Sequence, residues 1–256
     1  VPAKIVGADP TTSSASAQTE WRYPVETAGV LFCTWHGTDE LLHVISLPSD
    51  SVPVDMIAGY ESAACDLEYD WSECAVAREH AGVWILAVLE YGLDVPSVPT
   101  STLAAVLDSA EGHIDSFDSP RGVSPSDLTW PLPECATLRT DLDIETILGP
   151  AEVFDGLMTE GPGPLDKRVA ASIGAMRECG WTTLDAPFTQ LSVVVEPDAG
   201  WSFSAQQSRH ESTEPVEIVG ASSAVRSRDG EFQEDLLISD SMNILRIRLS
   251  PSGDEI

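Results

Sequence analysis

Gly29-Val30-Leu31-Phe32-Cys33-Thr34-Trp35, followed by Leu42-His43-Val44-Ile45-Ser46-Leu47-Pro48-Ser49-Asp50, has a counterpart in the second half of the chain. There Ala175-Met176-Arg177-Glu178-Cys179-Gly180-Trp181 is followed by Leu191-Ser192-Val193-Val194-Val195-Glu196-Pro197-Asp198. Both stretches read Cys-x-Trp, turn, strand, proline, acid. Side chains alternate across a strand, so Leu42, Val44 and Ser46 share a face in the first copy, as Leu191, Val193 and Val195 do in the second. His43 and Ser192 fall on the other side. Register is shared as well as composition, so the chain reads as two copies of one unit.

A second match lies downstream. Ala75–Arg78, a turn at Glu79–Gly82 and the strand Val83–Tyr91 parallel Asp235–Ile238, a turn near Asp240 and the strand Asn243–Leu249. Each pair reads as a β-hairpin, with Trp84, Leu86 and Val88 expected on the core side, like Leu245, Ile247 and Leu249. The start of the repeat stands complete in the second copy. Cys135-Ala136-Thr137-Leu138 leads into a helix signal at Thr140, with Asp143 as acidic capping partner and Leu142, Ile144, Ile147 and Leu148 as apolar positions. Val1–Val6 reads as the remainder of that element in the first copy, whose matching cysteine is expected just before Val1.

This alignment accounts for five cysteines. Cys135 is expected to bond to Cys179, tying the opening helix to the Cys-x-Trp strand. Cys65 is expected to bond to Cys74 within the first copy, which leaves Cys33 outside any disulfide. Loops of roughly 45 and roughly 10 residues are worth about 4 and about 3 kcal/mol in the chain-entropy model. Zinc is the competing reading, but no CxxC pair or histidine cluster completes such a site. Disulfides belong to oxidising compartments, so the chain is read as extracytoplasmic, secreted or held on the outer face of the cell membrane.

Between the copies, Ser119-Pro120-Arg121-Gly122 and Ser124-Pro125-Ser126-Asp127 punctuate the chain more than they pack. The domain reading is therefore residues 1–117 for the first domain, 118–130 for a linker and 131–256 for the second. Thr102–His113, with Leu103, Ala104, Val106, Leu107 and Ala110, reads as an amphipathic helix closing domain one. The fold class expected is α+β: two similar domains, each an antiparallel β-sheet with helices packed on one face.

The charge is lopsided. Thirteen Lys and Arg stand against 42 Asp and Glu, a formal −29 at pH 7. Nucleic acid and anionic membrane surfaces both demand a basic field, so neither is expected as a partner. No apolar run approaches the roughly 20 residues of a membrane-spanning helix. Only Lys4 and Lys167 represent lysine, a usage typical of GC-rich genomes.

The helix opened by Cys-x-x-Leu, the later Cys-x-Trp strand and the strand ending in Pro-Asp together resemble secreted lipoproteins of actinobacteria that carry domains of unknown function. The resemblance implies a signal peptide and a lipidated cysteine, hence a lipid anchor upstream of Val1. It implies no ligand, cofactor or reaction.

No nucleophile elbow, His-Glu-x-x-His, P-loop or dinucleotide fingerprint occurs in the sequence, and no cofactor or metal is expected. Asp141-Leu142-Asp143-Ile144-Glu145 lacks the glycine and distal glutamate of an EF-hand, and reads as first-turn acids. His36 and His43 flank one hairpin turn and are candidate ligand-facing groups. Trp201 sits in a polar context suited to a binding surface, whereas Trp35 and Trp181 read as core residues beside the cysteines. Arg246 and Arg248 alternate on the non-core face of the last strand and are the candidate anion site, since guanidinium binds carboxylate or phosphate bidentately. The leading functional reading is a non-catalytic binding or interaction protein of the cell envelope, its ligand or protein partner unknown. The alternatives are an envelope hydrolase using paired carboxylates and an acidic structural spacer.

Overall fold

The computed structural model describes residues 11–13, 22–37, 40–61, 64–67, 71–92, 100–114, 129–149, 153–155, 165–183, 189–210, 212–229 and 233–251. Val1–Val6 and most of the expected linker lie outside the described residues. The chain divides into two compact units, residues 1–123 and 124–256.

In the first unit the order is β1 (Thr11–Ser13), α1 (Arg22–Thr27), β2 (Leu31–His36), β3 (Glu40–Pro48), a 3-10 turn at Ser49–Ser51, and α2 (Val54–Tyr60). Then follow β4 (Ala64–Leu67), β5 (Trp71–His80), β6 (Val83–Gly92) and α3 (Thr100–Ile114). The strands form an antiparallel sheet in the order β1-β2-β3-β6-β5-β4. Val83–Gly92 reads almost unbroken apolar because β6 is central and covered on both sides, buried at eight of its ten positions. Such a strand loses the alternation that marks a half-solvated one. The loop Ala81-Gly82 joins β5 to β6 with both residues at positive φ, 51° and 78°. Those values suit the two-residue turn whose twist matches paired strands.

The second unit runs α4 (Cys135–Asp141), α5 (Ile144–Leu148), β7 (Val153–Asp155), α6 (Leu165–Ser172), β8 (Arg177–Thr183) and β9 (Thr189–Glu196). A 3-10 turn at Gly200–Ser202, α7 (Phe203–Gln207), β10 (Thr213–Pro215), β11 (Ser223–Asp229), β12 (Gln233–Ser239) and β13 (Ile244–Pro251) complete it. Its antiparallel sheet has the order β7-β8-β9-β13-β12-β11-β10. Taken in sequence, β1, β2, β3, β4, β5 and β6 occupy the places of β7, β8, β9, β11, β12 and β13. β10 is an added edge.

The registers agree residue by residue. Cys33 lies opposite Val44 and Trp35 opposite Leu42. Cys179 lies opposite Val193 and Trp181 opposite Leu191. Leu42 then faces Leu89, and Leu191 faces Leu249. One step further out, Cys65 pairs with Cys74 while Arg228 pairs with Glu234. A cross-strand disulfide in one unit thus stands where the other has a cross-strand ion pair.

On the face that carries the cysteines, α3 covers the first sheet. Leu103, Val106 and Leu107 pack with Ile85, Ala87 and Leu89, all at 2% exposure or less. In the second unit α4 and α5 cover the equivalent face nearer its other edge, with Ile144 against Cys179, Trp181, Leu191 and Val193. The disulfide Cys135–Cys179 fastens α4 there. Cys65 is bonded to Cys74, and Cys33 is exposed and belongs to neither disulfide. The opposite face is closed by short elements: Phe203 of α7 packs on Val225, Leu237 and Ile244, and Tyr60 of α2 sits edge-on to Trp84 at 6.2 Å between ring centres.

Two sequence expectations shift. Trp84, Leu86 and Val88 are buried, but the register puts Ile85, Ala87 and Leu89 in the places of Leu245, Ile247 and Leu249. A strand covered on both faces gives its pattern no phase, so a slip of one residue is invisible in sequence. The single helix expected from Thr140 is two helices, broken where Asp143 takes φ 49°. That left-handed residue, a conformation aspartate tolerates, rotates the second helix. Ile144 turns inward at 0% exposure, while Leu142 and Ile147 are left 37% and 55% exposed. Asp143 makes no side-chain cap.

Candidate functional site

The residues singled out in sequence separate into different environments. On the face of the second sheet that carries α7, Arg246 is 4% exposed and points its guanidinium at Gln206 and Glu196. Gln206 Nε2 donates to Glu196 at 2.8 Å and to the Ser202 hydroxyl at 2.9 Å, and Ser202 donates to the Ala199 carbonyl at 2.7 Å. Arg248 grips Asp235. Neither arginine is presented to a ligand, as the sequence reading had them. α7 and its 3-10 turn fold over this face, so the charges of β13 are met inside the protein, where a charge must be paired. Lys167 of α6 pairs with Glu178, which also accepts from the Ser192 hydroxyl at 3.1 Å.

In the first unit His43 is 7% exposed, not ligand-facing. The cause is local: His43 lies opposite Thr34 on a face already covered. Its Nδ1 is 3.1 Å from the Thr34 hydroxyl, and its Nε2 is 3.3 Å from Glu90. With Nε2–H directed at the carboxylate, the Thr34 O–H donates to Nδ1. Glu73 lies directly across from Glu90 and is 9% exposed. His36 lies opposite Leu41, not beside His43, and its side chain lies outside the described part of the structure. Trp201 is 58% exposed on the Gly200–Ser202 turn, next to Ser202 in sequence. Among the described residues, no group of three His, Cys, Asp or Glu is placed to hold a metal ion, and no helix is long and apolar enough to cross a membrane.

The open site is one that sequence reasoning missed. Over β12 and β13, on the cysteine-bearing face, lies a cavity of about 560 Å³. Leu236, Ile247 and Leu249 form its floor, and Val216 stands in its wall. Glu214, Glu217, Glu234 and Arg226 stand around it, and Glu234 is paired with Arg228. Arg226 donates to Glu214 at 2.7 Å. That hydrogen bond, and then the charge behind it, hold the Glu214 carboxyl below its ordinary value and raise Arg226. Both remain ionised at neutral pH. The volume is that of ordinary ligand pockets, and an apolar floor under a few polar groups is their usual chemistry.

No family model matches the chain, and no curated protein matches it. One solved structure it aligns with is the di-domain ARO/CYC StfQ from the steffimycin biosynthetic pathway. The identity is 10%, over 87% of this chain and 70% of that one, with a TM-score of 0.17.

Proposed function

We propose that the protein is an extracytoplasmic binding protein of the cell envelope, working without catalysis, whose second unit presents the ligand surface over β12 and β13. The observation that carries this is the uneven burial of matched positions. Ile85, Ala87 and Leu89 are fully sealed in the first unit, while Leu245, Ile247 and Leu249 in the same register are only partly buried. Half-covered apolar floor beside charged groups is what a binding surface needs, and an acidic spacer has no use for it. The two disulfides support an oxidising compartment, as does the resemblance to secreted lipoproteins of actinobacteria.

The test is hydrogen–deuterium exchange on the full chain with envelope glycans, peptides, phospholipid vesicles and calcium, each in turn. Slowed exchange within 214–217, 226–236 and 245–249 is expected with one class. Unchanged exchange and melting with every class overturn the reading.

Envelope hydrolysis through paired carboxylates has one observation in its favour, the opposed Glu73 and Glu90 with His43 on Glu90. It requires turnover of an envelope glycan that Glu90→Gln abolishes.

A further inference from the structure

We propose that the Cys65–Cys74 bridge is a thiol–disulfide exchange site, opened by a dithiol reductant in the folded protein while Cys135–Cys179 stays closed. The two bridges differ in what surrounds them. Cys65 is exposed on β4, a four-residue strand at the edge of the first sheet, whereas Cys74 directly across from it is 1% exposed. One sulfur stands where an attacking thiolate reaches it and the other does not, which fixes the direction of attack. Cys179 is 2% exposed within an apolar cluster, and Cys135, Leu138 and Leu148 pack against that cluster. Exchange requires access to a sulfur, so this second bridge opens only when α4 leaves the sheet.

Tyr91 prepares the leaving group. Its hydroxyl lies 3.4 Å from Cys74 Sγ, and because a bonded sulfur carries no proton, the phenol is the donor. A disulfide sulfur is a weak acceptor and a thiolate a strong one, so this buried hydrogen bond strengthens as charge develops on Cys74. The second unit shows that the fold does not need the bridge. In matching register Arg228 and Glu234 stand where Cys65 and Cys74 do, and Pro251 stands where Tyr91 does. The pair and its phenol occur together in one copy and are replaced together in the other. β5 is paired with β6 along its whole length, so opening the bridge frees β4 and leaves β5 in place.

One thiolate of the dithiol attacks Cys65 Sγ. The bond between the two cysteines breaks, and its electron pair departs with Cys74 as a thiolate facing Tyr91. The second thiol of the reductant then attacks the mixed disulfide and releases Cys65. The reductant leaves as a disulfide, and the protein gains two electrons and the two protons that the dithiol gives up.

The experiment uses the full, oxidised chain with Cys33 first blocked by alkylation under native conditions. Dithiothreitol, or in a separate arm reduced glutathione, is added, and samples are quenched with acid at intervals. Peptide mass spectrometry after unfolding and alkylation reads each bridge. Cys65–Cys74 is expected to open about tenfold or more faster than Cys135–Cys179. In the glutathione arm the adduct is expected on Cys65 and not on Cys74. Hydrogen exchange is expected to quicken on reduction within 64–67 while 83–92 stays protected. Tyr91→Phe, which removes only the hydroxyl, is expected to slow the opening several-fold and to leave Cys135–Cys179 as it was. Equal opening of the two bridges, an adduct on Cys74, opening only under denaturing conditions, or an unchanged rate in Tyr91→Phe overturns the proposal. Should Tyr91→Phe melt early, the ratio of rates and the place of the adduct in the parent chain still decide.

Discussion

Arg248 holds Asp235 through two hydrogen bonds, Nε to Oδ1 at 2.9 Å and Nη2 to Oδ2 at 3.1 Å, with the aspartate side chain only 2% exposed. The two residues lie opposite each other on β13 and β12. The bidentate geometry adds direction to the charge, and it belongs to the interior of the second sheet. Asp235→Asn is expected to cost about 2 kcal/mol, the range for a hydrogen bond to a charged group whose partner stays behind. Urea denaturation measures it. Replacing both residues with leucine is expected to recover part of the loss, since a buried ion pair is often matched by apolar packing.

Cys135→Ser together with Cys179→Ser is expected to lower stability by roughly 4 kcal/mol in the chain-entropy model. Removing Cys65 and Cys74 is expected to cost less, because 9 residues separate that pair against 44 for the other. Guanidinium melts of the two double variants check the order. Thiol titration of the unfolded, unreduced chain is expected to find one thiol, that of Cys33.

Gly200 sits against the β12–β13 turn so closely that a Cβ built on it falls 2.3 Å from the Ser241 carbonyl oxygen. Its N–H donates to the Met242 carbonyl at 2.7 Å. Gly200→Ala is therefore expected to push the turn away and cost on the order of 2 kcal/mol, as overpacking does. Asn243, 0% exposed, is the other anchor. Its side-chain oxygen accepts from the N–H of Trp130 at 3.0 Å and of Asp198 at 3.3 Å. Asn243→Ala is expected to be the more damaging change, with a red-shifted tryptophan emission as Trp130 loosens.

Asp240 in the same turn is expected to make stability depend on pH in the acid range. Burial pushes its carboxyl up, but hydrogen bonds from the Asn243 N–H, the Asn243 side chain and the Met242 N–H prevail and hold it below its ordinary 3.8. A carboxyl lowered in the folded state contributes stability that is present above its unfolded value. That stability is lost as pH falls through the folded one. The melting temperatures of Asp240→Asn and the parent are expected to differ above pH 4 and to converge below it. A constant difference across that range contradicts this.

By itself the sequence determined the duplication and the register of its Cys-x-Trp strands and the strands that follow them. The reason is that Cys-x-Trp, the two-residue period of β3 and β9 and the hairpin turns are local signals, written within a few residues of one another. The disulfide pairing was legible for the same reason: once the copies are aligned, Cys179 needs a partner on the opening helix and Cys135 is the cysteine there. Three things were decided only by tertiary structure. Burial of β6 on both faces removes the alternation that would reveal which side meets α3. Arg246 reads as an exposed base until Gln206, 40 residues earlier in the chain, folds across it. The cavity over Ile247 and Leu249 takes its other walls from Glu214, Val216 and Arg226, and these come together only when β10, β11, β12 and β13 pair side by side, so no local stretch of sequence announces it.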